Sequence, residues 1–283
     1  MEKIHGGELG ELNTGGLSEC SLDFHGKKHV CSTKEGIALI KQLLEIPDKL
    51  TAKQVIDTAK KILKVDSESA IYDHPKIKVK MGFNRVKNIL DEHFKPEGPK
   101  DNTQLLNNFD IDNNLKQWAS KSEQEFNKKV LHIPFQMRDF LDKKTELATL
   151  DIYNLIKQGY NAFYTIFNTD VSTGPGKHWF ALYAELKSDQ VQLEYFNSSG
   201  YPPMEPLLVW MENTCYCLLK QHGIKCNIVY ATKGHQLQNS KTECGVWSLV
   251  YILSRLKDKD PHWILTVGAN DKDMINYRKR LFR

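Results

Sequence analysis

The sequence has no long apolar run and little net charge. Its 283 residues contain no apolar stretch approaching the roughly 20 residues that cross a bilayer. Residues 1–16 are polar and lack the basic and apolar regions of a secretory signal peptide. With 39 basic and 35 acidic residues, the net charge of +4 compels neither nucleic-acid nor membrane binding. These absences predict a soluble globular protein with one large domain or two smaller ones.

Cysteine is also sparse, and its spacing is irregular. Six cysteines in a chain of this length do not form a disulfide framework, so we expect reduced thiols and a cytoplasmic setting. Four potential zinc ligands fall within one short segment: Cys20, His25, His29 and Cys31. Their spacing fits no common zinc finger. Cys215 and Cys217 are two residues apart on a predicted helix and do not face each other. The sequence therefore predicts no metal site.

The first third of the chain has a helical pattern. Residues 1–30 are polar and Gly-rich, which predicts a loose arm. Three segments then carry apolar residues at helical spacing: 35–46, 51–65 and 77–94. Thr51 and Gln54 form a capping box, whereas Gly82 weakens the third helix. The Pro/Gly cluster at 95–102 is the predicted boundary between an N-terminal helical arm domain, 1–96, and a core domain, 97–283.

The remainder of the chain alternates between strand and helix patterns. Helices are predicted at 112–126, 134–142 and 205–221. Strands are predicted at 160–168, 178–186, 190–196 and 224–231. This order predicts an α+β fold in which helices flank a central sheet.

A cysteine begins the next apolar helix pattern. The segment Gln238-Asn-Ser-Lys-Thr-Glu-Cys244-Gly245 leads into apolar residues at helical spacing: Val246, Leu249, Val250 and Leu253. Cys244 is therefore placed at a helix N-terminus, where unpaired N–H groups and the helix dipole favour the thiolate. The alternative is a buried cysteine that packs the start of the helix.

A histidine and an asparagine lie at the ends of two predicted strands. His178 begins one strand after a Gly/Pro turn, and Asn197 follows the next strand. If the two are side by side, the Asn197 carbonyl accepts a hydrogen bond from His178 Nδ1–H and aims Nε2 at a thiol. Each has an ordinary alternative, a solvated histidine and a turn-forming asparagine. Combined with Cys244, they predict a cysteine nucleophile with a histidine base.

Together these segments resemble a known superfamily. His178-Trp179, Glu194-Tyr-Phe-Asn197-Ser and Thr242-Glu-Cys244-Gly245 are similar to the SUMO-protease and adenovirus-protease superfamily, and within it to polyprotein-processing proteases of the African swine fever virus type. The likeness covers most of the chain from about residue 66. It implies a papain-like or adenain-like cysteine protease core with four catalytic residues: His178, Asn197, Gln238 and Cys244. Gln238 is implied as an oxyanion donor, whereas Gln236 does not have the family's spacing to the cysteine.

The resemblance also implies an activity. A viral endopeptidase would cut structural polyproteins after Gly-Gly during virion maturation, in the host cytoplasm and in the virion. Trp179 would roof the cleft so that only glycine, which lacks a Cβ, is admitted, unless it simply packs in the core. The pairs ending at Gly7 and Gly16 would be candidate self-cleavage sites.

Two alternatives use the same residues. One is an isopeptidase that removes a ubiquitin-like modifier, since such modifiers also end in Gly-Gly. The other is a catalytically silent binding module. Neither the residues nor the resemblance implies a cofactor, and no residue matches the DNA or peptide sites that assist adenovirus-like relatives.

Overall fold

The computed structural model describes Leu12, residues 19–21, 30–99, Asp101 and 103–283. Contacts divide these residues into two units. The helical unit comprises 19–21, 30–98 and Lys279–Arg283, and the sheet unit comprises Leu12 and Pro99–Arg278. Within the described ranges, no helix has both the length and the apolar character that a membrane span requires.

The described part of the helical unit is built from five helices. They are α1 (Lys34–Leu44), α2 (Ala52–Leu63), α3 (Glu68–Asp73), α4 (Pro75–Met81) and α5 (Phe83–His93). The predicted capping box at Thr51 and Gln54 is confirmed. The predicted helix at 77–94 is instead two helices, because Gly82 adopts a φ of 88° that ends α4 before α5 begins.

A single apolar cluster holds the helical unit together. Ile40, Val55, Ile71, Tyr72 and Phe94 are among its most deeply buried members. Ile40 lies in α1, Val55 in α2, Ile71 and Tyr72 in α3, and Phe94 directly after α5. The core of this unit therefore combines apolar side chains from several helices.

Two disulfides contradict the prediction of reduced cysteines. Cys20 pairs with Cys31 in the helical unit, and Cys215 pairs with Cys226 in the sheet unit. Each pair is separated by eleven residues in sequence. Irregular spacing concealed them, because the fold, not the sequence, brings the Cα atoms within 5 Å. The exposed Cys217 and the buried Cys244 are free.

Several sequence predictions fall on residues outside the described ranges. These are the arm at 1–30 except for its few described positions, the candidate ligands His25 and His29, and the candidate self-cleavage sites Gly7 and Gly16. The other two candidate ligands, Cys20 and Cys31, are joined by a disulfide.

A five-stranded mixed sheet forms the centre of the sheet unit. Its strands are β1 (Val130–His132), β2 (Ala162–Asn168), β3 (Trp179–Leu186), β4 (Gln190–Phe196) and β5 (Lys225–Tyr230), and they lie side by side in chain order. The two outer pairings are parallel, and the two inner pairings are antiparallel. The antiparallel register sets Ala181 opposite Phe196, which places the start of β3 and the end of β4 at the same edge of the sheet.

Helices flank this sheet, as predicted for an α+β fold. The described helices are α6 (Asn108–Phe126), α7 (Ile152–Lys157), α8 (Glu205–His222), α9 (Cys244–Leu256), α10 (Trp263–Thr266) and α11 (Asp271–Leu281). Of these, α9 packs on β3 and α8 packs on β5. Every residue of α9 is buried, so it is a core helix rather than a surface one.

The predicted helix at 134–142 is wrong. Gln136 pairs with Phe167 in an isolated bridge beside β2, and Gln136 N–H donates to the Ile166 carbonyl at 2.8 Å. Arg138 N–H donates to the carbonyl of Asp170 at 2.8 Å. Because these backbone groups bond to the end of β2 and the loop after it, they do not form a helical ladder.

A buried ion pair connects β4 with α9. Arg255 donates to both carboxylate oxygens of Glu194, from Nε at 2.7 Å and from Nη2 at 2.9 Å. The Tyr251 hydroxyl donates to the same carboxylate at 2.6 Å. Glu194 is completely buried, so its charge depends on these partners.

We expect Arg255→Met to lower the free energy of unfolding by about 3–5 kcal/mol, because it leaves a buried carboxylate without its cation. Adding Glu194→Gln removes that charge and keeps an acceptor for Tyr251, so the double variant should regain part of the loss. Urea denaturation of wild type, both single variants and the double variant measures this coupling. Additive losses in the double variant would contradict the ion-pair account.

Candidate active site

His178 and Asn197 meet at one edge of the sheet. His178 immediately precedes β3, and Asn197 immediately follows β4. Because the two strands are antiparallel neighbours, these positions are adjacent in space. The imidazole Nε2 lies 2.8 Å from Asn197 Oδ1. The structure therefore brings together the histidine and the asparagine that the sequence singles out.

The nitrogen that bonds to Asn197 differs from the one expected. The backbone N–H of Ser199 donates to Asn197 Oδ1 at 3.0 Å, which fixes this atom as the amide oxygen. Nε2 of His178 must then be the protonated donor, and in the neutral ring Nδ1 is free of a proton. Thus Nδ1, rather than Nε2, is the nitrogen available as a base.

The amide nitrogen of Asn197 is also held in place. It donates to the Tyr195 hydroxyl at 2.9 Å, and that hydroxyl donates to the carbonyl of Tyr201 at 3.1 Å. Ser199 Oγ lies 3.3 Å from His178 Nε2. Asn197 is nearly fully buried, so these bonds define one orientation of its side chain.

Gln238 is connected to the same turn. The Ser198 hydroxyl donates to Gln238 Oε1 at 2.7 Å, and the Ser198 carbonyl accepts from the Gln238 backbone N–H at 3.0 Å. Gln238 Nε2 donates to the carbonyl of Ser240 at 2.8 Å, which leaves its second hydrogen for another acceptor. Gln236 instead donates its amide to the carbonyl of Gln238 at 2.9 Å.

The sequence did not indicate the roles of Ser198, Ser199 and Tyr195. Tyr195 and Ser198 belong to the motif that carries the resemblance, but no role was assigned to them, and Ser199 lies just after that motif. Gly200 supports their arrangement, with a φ of 74°. A Cβ on Gly200 would lie 2.8 Å from the carbonyl oxygen of Gly234, so the turn and the segment before Gln238 approach each other closely.

Cys244 is the first residue of α9 and is only 1% exposed. The backbone N–H of Trp179 lies near its sulfur, as do those of Gly245 and Cys244 itself, and all three lower the pKa of the thiol. Trp179 follows His178 in the chain, so this contact places the sulfur against the start of β3. Cys244, the buried free cysteine among the described residues, thus lies at the end of β3 next to His178.

Trp179 is fixed beside the thiol. Its side chain is 7% exposed, and Nε1 donates to the carbonyl of Leu106 at 2.8 Å. Leu106 also fills the space over Gly245, where an added Cβ would come within 3.1 Å of the leucine Cβ. The Phe135 ring packs edge-on against Trp179 at a centroid distance of 6.1 Å. The Trp179 side chain is thus held by a hydrogen bond and a ring contact.

Burial governs the protonation of both reactive groups. It raises the pKa of the Cys244 thiol above its ordinary value, although the three backbone N–H groups lower it and the charge of Glu243 raises it. Burial also lowers the pKa of His178, and the hydrogen bond with Asn197 only partly opposes this. Each shift favours the neutral form of its group. Burial thus opposes the thiolate that the helix N-terminus is expected to favour.

No cluster suited to a metal ion is found in the parts of the chain that the structure describes. No three side chains of His, Cys, Asp or Glu come together there in a possible coordination sphere.

Sequence comparison identifies viral relatives. The chain is 36% identical over 240 residues to a cysteine protease of African swine fever virus, isolate Tick/Malawi/Lil 20-1/1983, a match that spans 79% of this chain and 85% of the relative. The match to the SUMO-1 cysteine protease of isolate Tick/South Africa/Pretoriuskop Pr4/1996 has the same identity and coverage. No protein-family model matches the chain.

Structure comparison gives the same family. The crystal structure of the African swine fever virus protease pS273R superposes with a TM-score of 0.76 at 30% identity, covering 95% of this chain and 96% of that one. The sheet, its flanking helices and the helical region before them are thus parts of a known protease architecture. The chain belongs to the family of viral cysteine proteases that includes pS273R.

Proposed function

We propose that this viral cysteine protease cleaves structural polyproteins after Gly-Gly during virion maturation. Its place of action would be the viral assembly sites of the host cytoplasm and the virion. The substrate would be an extended segment of the form Gly-Gly-Xaa, in which the carbonyl of the second glycine is attacked.

The observation that carries this proposal is the burial of Cys244 beside Trp179, with 1% of Cys244 exposed. The Trp179 indole N–H is bonded to the carbonyl of Leu106, so the ring is held in place and little room is left beside the thiol. Glycine alone has no Cβ, so a Gly-Gly backbone occupies the least width of any dipeptide. Larger side chains on the N-terminal side of the scissile bond would clash with Trp179.

Catalysis begins with a neutral pair. His178 Nδ1 takes the proton of the Cys244 thiol as the sulfur attacks the scissile carbonyl, and it later protonates the leaving amine. Asn197 Oδ1 holds the ring through Nε2–H, so Nδ1 stays directed to the reaction. Water then attacks the acyl-enzyme, and His178 again accepts the proton.

The negative charge that develops on the carbonyl oxygen requires donors. We assign this role to the free Nε2 hydrogen of Gln238 and to the backbone N–H of Cys244 at the start of α9. The Ser198 hydroxyl fixes the amide of Gln238 by donating to Oε1, which turns Nε2 away from Ser198. Loss of one such donor typically costs about 3–4 kcal/mol of transition-state stabilisation.

An isopeptidase activity is the second candidate. Modifiers that end in Gly-Gly present the same narrow backbone to the cleft, and a relative is named a SUMO-1 cysteine protease. A SUMO or ubiquitin fusion tested beside a Gly-Gly-Xaa peptide separates the two activities.

One cleavage experiment tests the proposed substrate and the proposed nucleophile together. We expect wild type to cut a structural polyprotein of its own virus internally after Gly-Gly, and Cys244→Ala to make no cut, because it lacks the attacking sulfur. Mass spectrometry of the products identifies the cut bonds.

Cys217→Ala is the matched control, since it removes an exposed free thiol and should cleave like wild type. Cuts at bonds unrelated to Gly-Gly would contradict the proposed specificity. Turnover by Cys244→Ala would contradict the proposed nucleophile.

The pH dependence of kcat/KM tests the proposed role of His178 as the base. Because burial lowers the pKa of His178, the acid limb of kcat/KM should lie below the ordinary histidine value, where a solvated histidine would already be protonated and inactive. Asn197→Asp should move this limb to higher pH, because a carboxylate favours the imidazolium. Asn197→Ala should lower kcat about tenfold or more, because the ring loses the acceptor that orients it.

Peptide cleavage measured from pH 4 to 9 for the three proteins checks this order. If Asn197→Ala cleaves as fast as wild type across the range, Asn197 is only a turn residue. An acid limb that Asn197→Asp leaves unmoved would mean that residue 197 does not face the base.

A further inference from the structure

The loop that joins Gln238 to Cys244 has no regular secondary structure. It nonetheless carries the two groups assigned to bind the oxyanion. Two side chains of helix α11 form hydrogen bonds with this loop. Asp271 and Arg278 are seven residues apart, about two turns, so they lie on one face of α11.

Asp271 holds the first half of the loop. Its Oδ2 accepts hydrogen bonds from the backbone N–H groups of Asn239 at 2.8 Å and Ser240 at 2.7 Å. Its Oδ1 accepts from the indole N–H of Trp247 at 3.0 Å. Trp247 belongs to α9, so one carboxylate connects the loop to the helix that begins with Cys244.

Arg278 holds the second half. It is 1% exposed, and its guanidinium donates to Glu243 Oε2 at 3.1 Å, to the carbonyl of Thr242 at 3.0 Å and to the carbonyl of Gln104 at 2.7 Å. Glu243 directly precedes Cys244, and Arg278 neutralises its buried charge. The basic side chain of Arg278 is therefore buried and paired rather than solvated.

Ser240 connects Asp271 to Gln238, the proposed oxyanion donor. The carbonyl of Ser240 accepts from Gln238 Nε2 at 2.8 Å, while its backbone N–H donates to Asp271. A shift of Ser240 would therefore move the Gln238 amide. Oxyanion donors act only when they lie about 2.7–3.1 Å from the developing oxygen, so a small shift is costly.

We propose that Asp271 and Arg278 are positioning residues that fix the oxyanion-binding geometry of Gln238 and Cys244. This inference rests on the proposed function, because it concerns the transition state of that reaction. Charge-assisted hydrogen bonds, accepted by the Asp271 carboxylate and donated by the Arg278 guanidinium, replace the backbone ladder that a loop lacks. Helix α11 thus acts on catalysis without touching the substrate.

The test compares reactions with and without an oxyanion. Peptide cleavage and binding of a Gly-Gly peptide aldehyde both place a negatively polarised oxygen in the site. Alkylation of Cys244 by iodoacetamide forms a carbon–sulfur bond and expels iodide, so no oxyanion arises. All three are measured for wild type, Asp271→Asn and Asp273→Asn in a Cys217→Ala background, where Cys244 is the remaining free cysteine.

We expect Asp271→Asn to lower kcat at least about tenfold with KM within about twofold, short of the 10²–10³ that loss of a whole donor costs. Aldehyde affinity should fall in parallel, and the alkylation rate should stay within about twofold of wild type. Asp273→Asn is the matched control, because Asp273 Oδ2 accepts from the Asn270 N–H at the start of the same helix and does not contact the loop. It should behave like wild type in all three measurements.

Three outcomes would overturn the inference. The first is an Asp271→Asn enzyme that cleaves like wild type. The second is an Asp271→Asn enzyme whose alkylation rate falls as much as its cleavage rate. The third is an Asp271→Asn chain that does not fold. Either of these two would show that Asp271 serves the fold as a whole. A wild-type protein that neither cleaves the peptide nor binds the aldehyde overturns the proposed function itself, and this inference with it.

Discussion

The hydrogen bond between His178 and Asn197 depends on one short turn after β4, and the same turn sets the position of Gln238. Asn197 Oδ1 accepts from His178 and from the backbone of Ser199, while the Ser198 hydroxyl donates to Gln238. The proposed base and the proposed oxyanion donor are therefore oriented by consecutive residues. The register of β3 and β4 places this turn beside His178, and α9 packs on β3, where its first residue supplies the thiol. Displacement of the turn would disturb the base and the oxyanion site together.

Burial of the thiol is the second constraint on the site. Cys244 starts a completely buried helix, so its sulfur is shielded from water. The same burial raises the pKa of the thiol and lowers the pKa of the imidazole, so it favours the uncharged form of each. The low exposure of the thiol and the preference of both groups for their uncharged forms thus have one physical cause. Trp179 lies next to the thiol: its backbone N–H approaches the sulfur, and its indole N–H is bonded to Leu106.

The sequence predicted the features that depend on local pattern. The strand before Asn197, the helix that starts at Cys244 and the capping box at Thr51 follow from periodicity and end signals, and the structure has them. Long-range pairing could not be predicted in this way. Residues 134–142 pair with the end of β2 instead of forming a helix, and the two disulfides depend on approaches that only the fold creates. The contacts of Ser198 with Gln238 and of Asp271 with Ser240 span 40 and 31 residues, so no local signal announces them.

The central claim is that His178, Asn197, Gln238 and Cys244 act as one catalytic site. A crystal structure of the chain with a Gly-Gly peptide aldehyde bound covalently tests it most directly. The account predicts a bond from Cys244 Sγ to the aldehyde carbon, with the former carbonyl oxygen about 2.7–3.1 Å from both Gln238 Nε2 and the Cys244 backbone nitrogen. His178 Nδ1 should face the sulfur while Nε2 stays on Asn197. An adduct whose oxygen points away from Gln238, or an aldehyde attached to Cys217 instead, would contradict the account.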